Sequence, residues 1–183
     1  MAMQDSKSEF DAFVQAQQES THPDVDWEQQ RDEWLAYLDG LYGEIGALLD
    51  DYVRNGQILL RYQDVELNEE EIGAYIARRL IIKIGGKEII LEPVGTLLIG
   101  TKGRVDVTGP AGRTRFMLVD KDATGPQLRV IVQTADPRRP PAPEPPAKDP
   151  QWTWKIVTSP PRIQYVELTR ESLFRVIMEV AGG

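Results

Sequence analysis

The chain has 183 residues, of which 41% are hydrophobic, and a net charge of −8. A chain of this size buries about 70% of its unfolded surface, so a core can hold without covalent staples. With no cysteine there are no disulfides, thiolate metal sites or cysteine nucleophiles, and a lone histidine, His22, argues against structural zinc and histidine-dependent triads.

The charge is uneven. Residues 1–56 carry a net −10, residues 57–77 a net −4 and residues 78–135 a net +5. Such asymmetry points either to a charged partner or to acidic helices that pack near a basic sheet of the same molecule. No apolar leader opens the sequence, and its longest apolar runs, such as Leu80-Ile81-Ile82, are too short to span a bilayer. A cytoplasmic protein with no membrane contact is the expectation.

Phe10, Phe13 and Val14 predict a short helix over 6–19, broken by Thr21-His22-Pro23. Asp24 or Asp26 then caps a long helix over 27–54. Its apolar residues, Trp27, Trp34, Leu38, Leu41, Ile45, Leu48 and Tyr52, follow heptad spacing. This seam needs a partner: another helix, the sheet or a second copy of the chain. The expected answer is the sheet of the same chain, because a contact within one chain avoids the entropy cost of association. A homodimer is the alternative. Gly40, Gly43 and Gly46 fall off the seam and read as an exposed helix face. Asn55-Gly56 ends the helix.

From Gln57 the apolar period changes to two, which predicts strands. Asn68-Glu69-Glu70-Glu71 starts either a short helix over 69–77 or an extended hairpin arm. Two hairpins follow. In the first, Leu80–Ile84 and Lys87–Leu91 flank Gly85-Gly86, a pair suited to a type I′ turn. This register sets Lys83 opposite Glu88, Ile82 opposite Ile89 and Arg79 opposite Glu92, so charges share one face and apolar residues the other. In the second, Gly103–Thr108 and Arg113–Val119 set Val105 opposite Phe116, Val107 opposite Thr114 and Asp106 opposite its ionic partner Arg115. Further strands are predicted at 96–99, 127–134, 152–157 and 163–168. A proline-rich loop spans 136–150, and a helix capped by Thr169 spans 170–180.

The fold class is therefore α+β: a mainly antiparallel sheet, meander or partly open barrel, with a long N-terminal and a short C-terminal helix packed on it. Residues 1–56 form an acidic helical segment and residues 57–183 a β-rich body, together one compact domain.

The chemistry-bearing candidates are few. Gly95 to Arg104 combines glycines, a hydroxyl and two bases. Lys102, Arg104, Arg113 and Arg115 are candidate ligands for an anion or nucleotide near residues 100–115. The order of residues is not that of a phosphate-binding Walker loop. Asp64, Glu66, Asp106 and Asp120 lie in or beside strands, with nothing to mark two of them as a catalytic pair. His22 with Asp24 and Asp26 reads as solvated linker. Trp152 and Trp154 share one side of their strand, as core packing or as a stacking surface, but the acidic helix argues against nucleic acid. Trp34 and Leu41 in the seam, and Pro143 and Pro146 in a P-x-x-P-x-K pattern ending at Lys148, are candidate protein contacts. No catalytic residue, metal or cofactor is implied. The first functional expectation is a non-enzymatic protein-binding or accessory protein, an immunity- or antitoxin-type inhibitor among them by analogy of charge. The second is the anion- or nucleotide-sensing domain.

Overall fold

Heptad spacing and an aspartate cap produce α1, Trp27–Leu48, in the computed structural model, which describes residues 26–96, 101–126, 150–158 and 161–183. Asp26 is the cap, and its carboxylate accepts the Gln29 N–H at 2.9 Å. The expected continuous helix to residue 54 is interrupted at Leu49, where ψ is 2°, and restarts as α2, Asp50–Arg54. At its end the Gln57 N–H donates to Tyr52 O and the Gly56 N–H to Val53 O, with Gly56 at φ 71°. This satisfies the last carbonyls as a left-handed glycine after a helix should.

Among the described residues seven strands follow: β1 (Ile58–Glu69), β2 (Gly73–Ile84), β3 (Lys87–Gly95), β4 (Gly103–Gly109), β5 (Gly112–Asp120), β6 (Trp152–Val157) and β7 (Tyr165–Glu167). They pair antiparallel in sequence order, as an open meander. Helix α3, Arg170–Ala181, closes the chain. A Thr169–Ser172 capping box starts it and left-handed Gly182 ends it. None of the described helices is long and apolar enough to cross a membrane.

Residues 69–77 form a hairpin arm, not a helix. Glu69 pairs with Gly73, Leu67 with Tyr75 and Val65 with Ala77. Pairing buries Tyr75 and Ala77. The β1–β2 register runs without a break, yet the buried residues change from Leu80 and Ile82 to Ala77 and Tyr75, which belong to the other alternation. A long two-stranded ribbon twists strongly, and its far half turns its opposite face toward the same core.

Both hairpin registers read from the sequence are present. Lys83 sits opposite Glu88 with a 2.7 Å ion pair, and Arg79 reaches Glu92 at 3.2 Å. Val105 faces Phe116 and Val107 faces Thr114. Two details differ. Only Gly85 has a left-handed φ, of 56°, so the first turn is not the type I′ that needs both glycines there. Asp106 is opposite Arg115 in register, but its ionic partner is Arg104 on its own strand, which grips both carboxylate oxygens at 2.6 and 2.7 Å. Residues two apart on a strand share a face, and the planar guanidinium fits a carboxylate with two parallel bonds.

The seam of α1 lies on the sheet. Trp34, Leu38, Leu41 and Ile45 are all buried within the chain, in one core with Leu80, Ile82, Ile89, Leu91, Val105, Phe116, Leu118 and the inner face of α3. The Tyr42 hydroxyl reaches over the sheet and donates to Arg78 O at 2.8 Å. The expected helix at 6–19, the strand at 127–134, residues 97–99 of another strand and residues 136–149 of the proline-rich loop lie outside the described residues.

Gly43 lies in an exposed helix interior, and a Cβ there would meet nothing within 4 Å. Gly43→Ala should raise stability by about 1 kcal/mol through helix propensity. Leu41→Ala, two residues away and on the buried face, should lower it by about 2–5 kcal/mol. Denaturant titration of both variants checks the pair.

Candidate functional site

Glu33, Tyr37, Gly40 and Glu44 are spaced by four, three and four residues, so they form one stripe along α1 beside the buried seam. The opposite wall is Lys102 with Trp152, Thr153 and Trp154 of β6. Together they line an open groove of about 760 Å³. A smaller hollow of about 270 Å³ adjoins it, lined by Asp26, Gln29, Gln30, Thr96 and Thr101. Glu33, Lys102 and Trp152 border both.

Trp154 fastens one wall to the other. It is buried, its indole N–H donates to Tyr37 O at 2.9 Å, and its ring lies 5.9 Å from that of Trp34. Of the two tryptophans on one side of β6, Trp154 is core, and Trp152 faces the groove.

Lys102 is delivered to this groove by its neighbour. A Cβ at Gly103 would lie 2.1 Å from Cζ3 of Trp34, so β4 begins with its bare backbone against the tryptophan ring. The Lys102 N–H donates to Leu118 O at 2.8 Å. Its ammonium lies 5.4 Å from the Tyr37 ring centroid and 5.7 Å from that of Trp152, and forms an ion pair with Glu33. Two π faces and a carboxylate thus surround one cation. The hydrogen bond from Lys102, and then that from Gln29, holds the Glu33 carboxyl below its ordinary value. Burial pushes the Glu44 carboxyl up.

A second polar cluster closes the far side of α1. Glu69 accepts the Thr96 N–H and hydroxyl, each at 2.9 Å, and the Tyr75 hydroxyl. Burial, and then the bond to Glu69, raises the Tyr75 pKa. The buried Trp34 Nε1 faces this hydroxyl without reaching hydrogen-bond geometry. A Cβ at Gly95, where φ is 136°, would lie 2.8 Å from the Glu69 carboxyl carbon. Gly95 and Gly103, read in the sequence as part of an anion-binding loop, are therefore both explained by close packing.

The four candidate bases do not converge. Lys102 lies on the helix side, paired with Glu33. Arg104 is held by Asp106 on the outer face, where Arg113 and Arg115 are exposed. Trp34 and Leu41 are fully buried, with no surface left for a partner. Pro143, Pro146 and His22 lie outside the described residues. Asp64 and Glu66 are exposed, and Asp120 accepts the Asp122 N–H at 2.9 Å. Among the described residues no group of three or more metal-ligating side chains gathers. Comparison with protein-family models, curated proteins and solved structures finds no match to this chain. The groove residues Glu33, Tyr37 and Glu44 were missed in the sequence, whereas Trp152 was read there as core packing or a stacking surface. The four-three-four stripe was visible there, but it reads as an ordinary solvated helix face until Trp152 and Lys102 are set against it.

Glu33 should titrate below its ordinary 4.5 in the native protein and move back toward it in Lys102→Ala. The stabilisation from this pair is present above the ordinary carboxyl pKa and is lost as pH falls through the depressed native value. Carboxyl-detected NMR titration of the two proteins checks it.

Proposed function

We propose that the chain is a non-enzymatic binding protein that docks a protein partner in the groove between α1 and β6. One observation carries this reading: half-buried aromatic faces, Tyr37 and Trp152, stand in an open groove beside the exposed Glu44 carboxylate. Aromatic anchors with a polar rim are what protein recognition uses. Ala36 and Gly40 leave the helix wall free of bulk, with nothing within 4 Å of a Cβ placed at Gly40.

An accessory or inhibitor role fits this surface. A basic partner, such as an immunity- or antitoxin-type role would supply, complements the acids of α1 that face solvent, among them Glu28, Asp32 and Glu44. The alternative, an anion- or nucleotide-sensing site near residues 100–115, has less support, since Lys102 and Arg104 are each paired with a carboxylate.

A photo-crosslinking residue placed at Ala36 in the full chain, in its native cells, tests the proposal. Both Ala36 and the control position Thr108, on the outer face, are exposed. The expected result is one discrete protein adduct from position 36, none from 108, and loss of the adduct in Trp152→Ala. No adduct at 36, or equal adducts at both positions, would overturn the reading.

A further inference from the structure

We infer that the cage of Tyr37, Trp152 and Glu33 is a recognition site for a lysine side chain of the partner, and that Lys102 is an internal occupant which the partner's ammonium replaces. The inference rests on the docking reading above and names what the groove selects.

The cage already holds a cation of the right kind. The Lys102 ammonium contacts both rings and the Glu33 carboxylate at one point in the groove. Aromatic faces attract an ammonium through their quadrupole, and the attraction grows as water is excluded. An incoming lysine of the same charge and shape would make the same three contacts, so the exchange leaves no carboxylate uncompensated.

Exchange is possible because only a side chain has to move. The backbone of Lys102 is fixed to Leu118, while its side chain keeps about a quarter of its surface exposed, at 23%. Lys102 borders the adjoining hollow as well as the groove, and Asp26, Gln30 and Thr101 line that hollow. A released ammonium on its flexible four-carbon stem would find carboxylate and carbonyl oxygens there. Glu44, at the other end of the groove, adds a second negative charge for the partner and has no ion-pair partner among the described residues. With Lys102 in place the cage is occupied, so the groove would be selective: it opens only for a partner whose lysine competes with a tethered one.

The test uses choline as the probe and 3,3-dimethylbutanol, its neutral isostere, as the control. Both are titrated against the full chain while the Trp152 indole N–H resonance is followed and assigned by its loss in Trp152→Phe. Lys102→Ala empties the cage. It should bind choline saturably and about tenfold or more tightly than the native protein, the gain expected when a competing cation–π contact is removed. The isostere should give no saturable shift, and Glu33→Gln in the Lys102→Ala background should weaken choline binding. Lys102→Ser provides a second emptied cage should the alanine variant fail to fold. A folded variant with no saturable response to choline, or with an equal response to the isostere, would overturn the inference. A groove adduct together with a silent cage would remove the lysine site and leave the docking reading standing. A responsive cage without an adduct would remove the docking reading, and with it the partner's lysine as the occupant of the cage.

Discussion

The six-membered ring of Trp34 lies against the backbone of β4 at Gly103, closer than any side chain at that position would allow. Much else is arranged around this contact. It seats the N-terminal half of α1 on the sheet and brings Trp34 to within 5.9 Å of the Trp154 ring. It faces the indole toward Tyr75, so that the far half of the β1–β2 ribbon closes over the same core. It also leaves the preceding residue, Lys102, beside α1, where Glu33, Tyr37 and Trp152 collect around its ammonium. The packing of a core tryptophan and the geometry of the surface groove are thus one local arrangement.

Charge organises the same elements with less energy. Glu33 meets Lys102, Asp39 meets Arg78 and Asp51 meets Arg170, so the acidic helical segment is tied to the basic body at three places. These pairs are partly exposed, and pairs of that kind contribute about 0–1 kcal/mol each. Each fully buried seam residue, Trp34, Leu38, Leu41 or Ile45, contributes about 1.5–3 kcal/mol by burial. The apolar seam holds α1 down, and the ion pairs fix its rotation and its register on the sheet. Part of the charge asymmetry of the sequence is thus an internal complementarity.

Fold was more legible than site, for physical reasons. The hairpins at 80–91 and 103–119 were readable because both faces constrain the register at once: Lys83–Glu88 on one side, Ile82–Ile89 on the other. The 69–77 arm was ambiguous because Asn68-Glu69-Glu70-Glu71 satisfies local helix-start preferences, while the pairs that decide it, Leu67–Tyr75 and Val65–Ala77, depend on a twist no local pattern encodes. Asp106 was assigned to Arg115 by register, which fixes Cα neighbours but not which guanidinium wins; the same-strand Arg104 does. The groove was hidden for a related reason. Lys102 and Trp152 are fifty residues apart: Lys102 comes to α1 beside Gly103, whose bare backbone lies on Trp34, and Trp152 comes there by the pairing of β6 with β5. A glycine needed for close approach looks the same in sequence as one needed to bind a phosphate.

A double-mutant cycle between Trp34 and Gly103 tests the contact on which this arrangement depends. Gly103→Ala in the native background should cost about 1–3 kcal/mol in a denaturant titration, the range for forced overpacking. In a Trp34→Leu background, with the ring gone, the same change should be nearly neutral or slightly stabilising, because alanine is preferred to glycine within a strand by roughly 0.5–1 kcal/mol. Equal costs in both backgrounds would contradict the account, since Gly103 would then be required for some reason other than the tryptophan that lies on it.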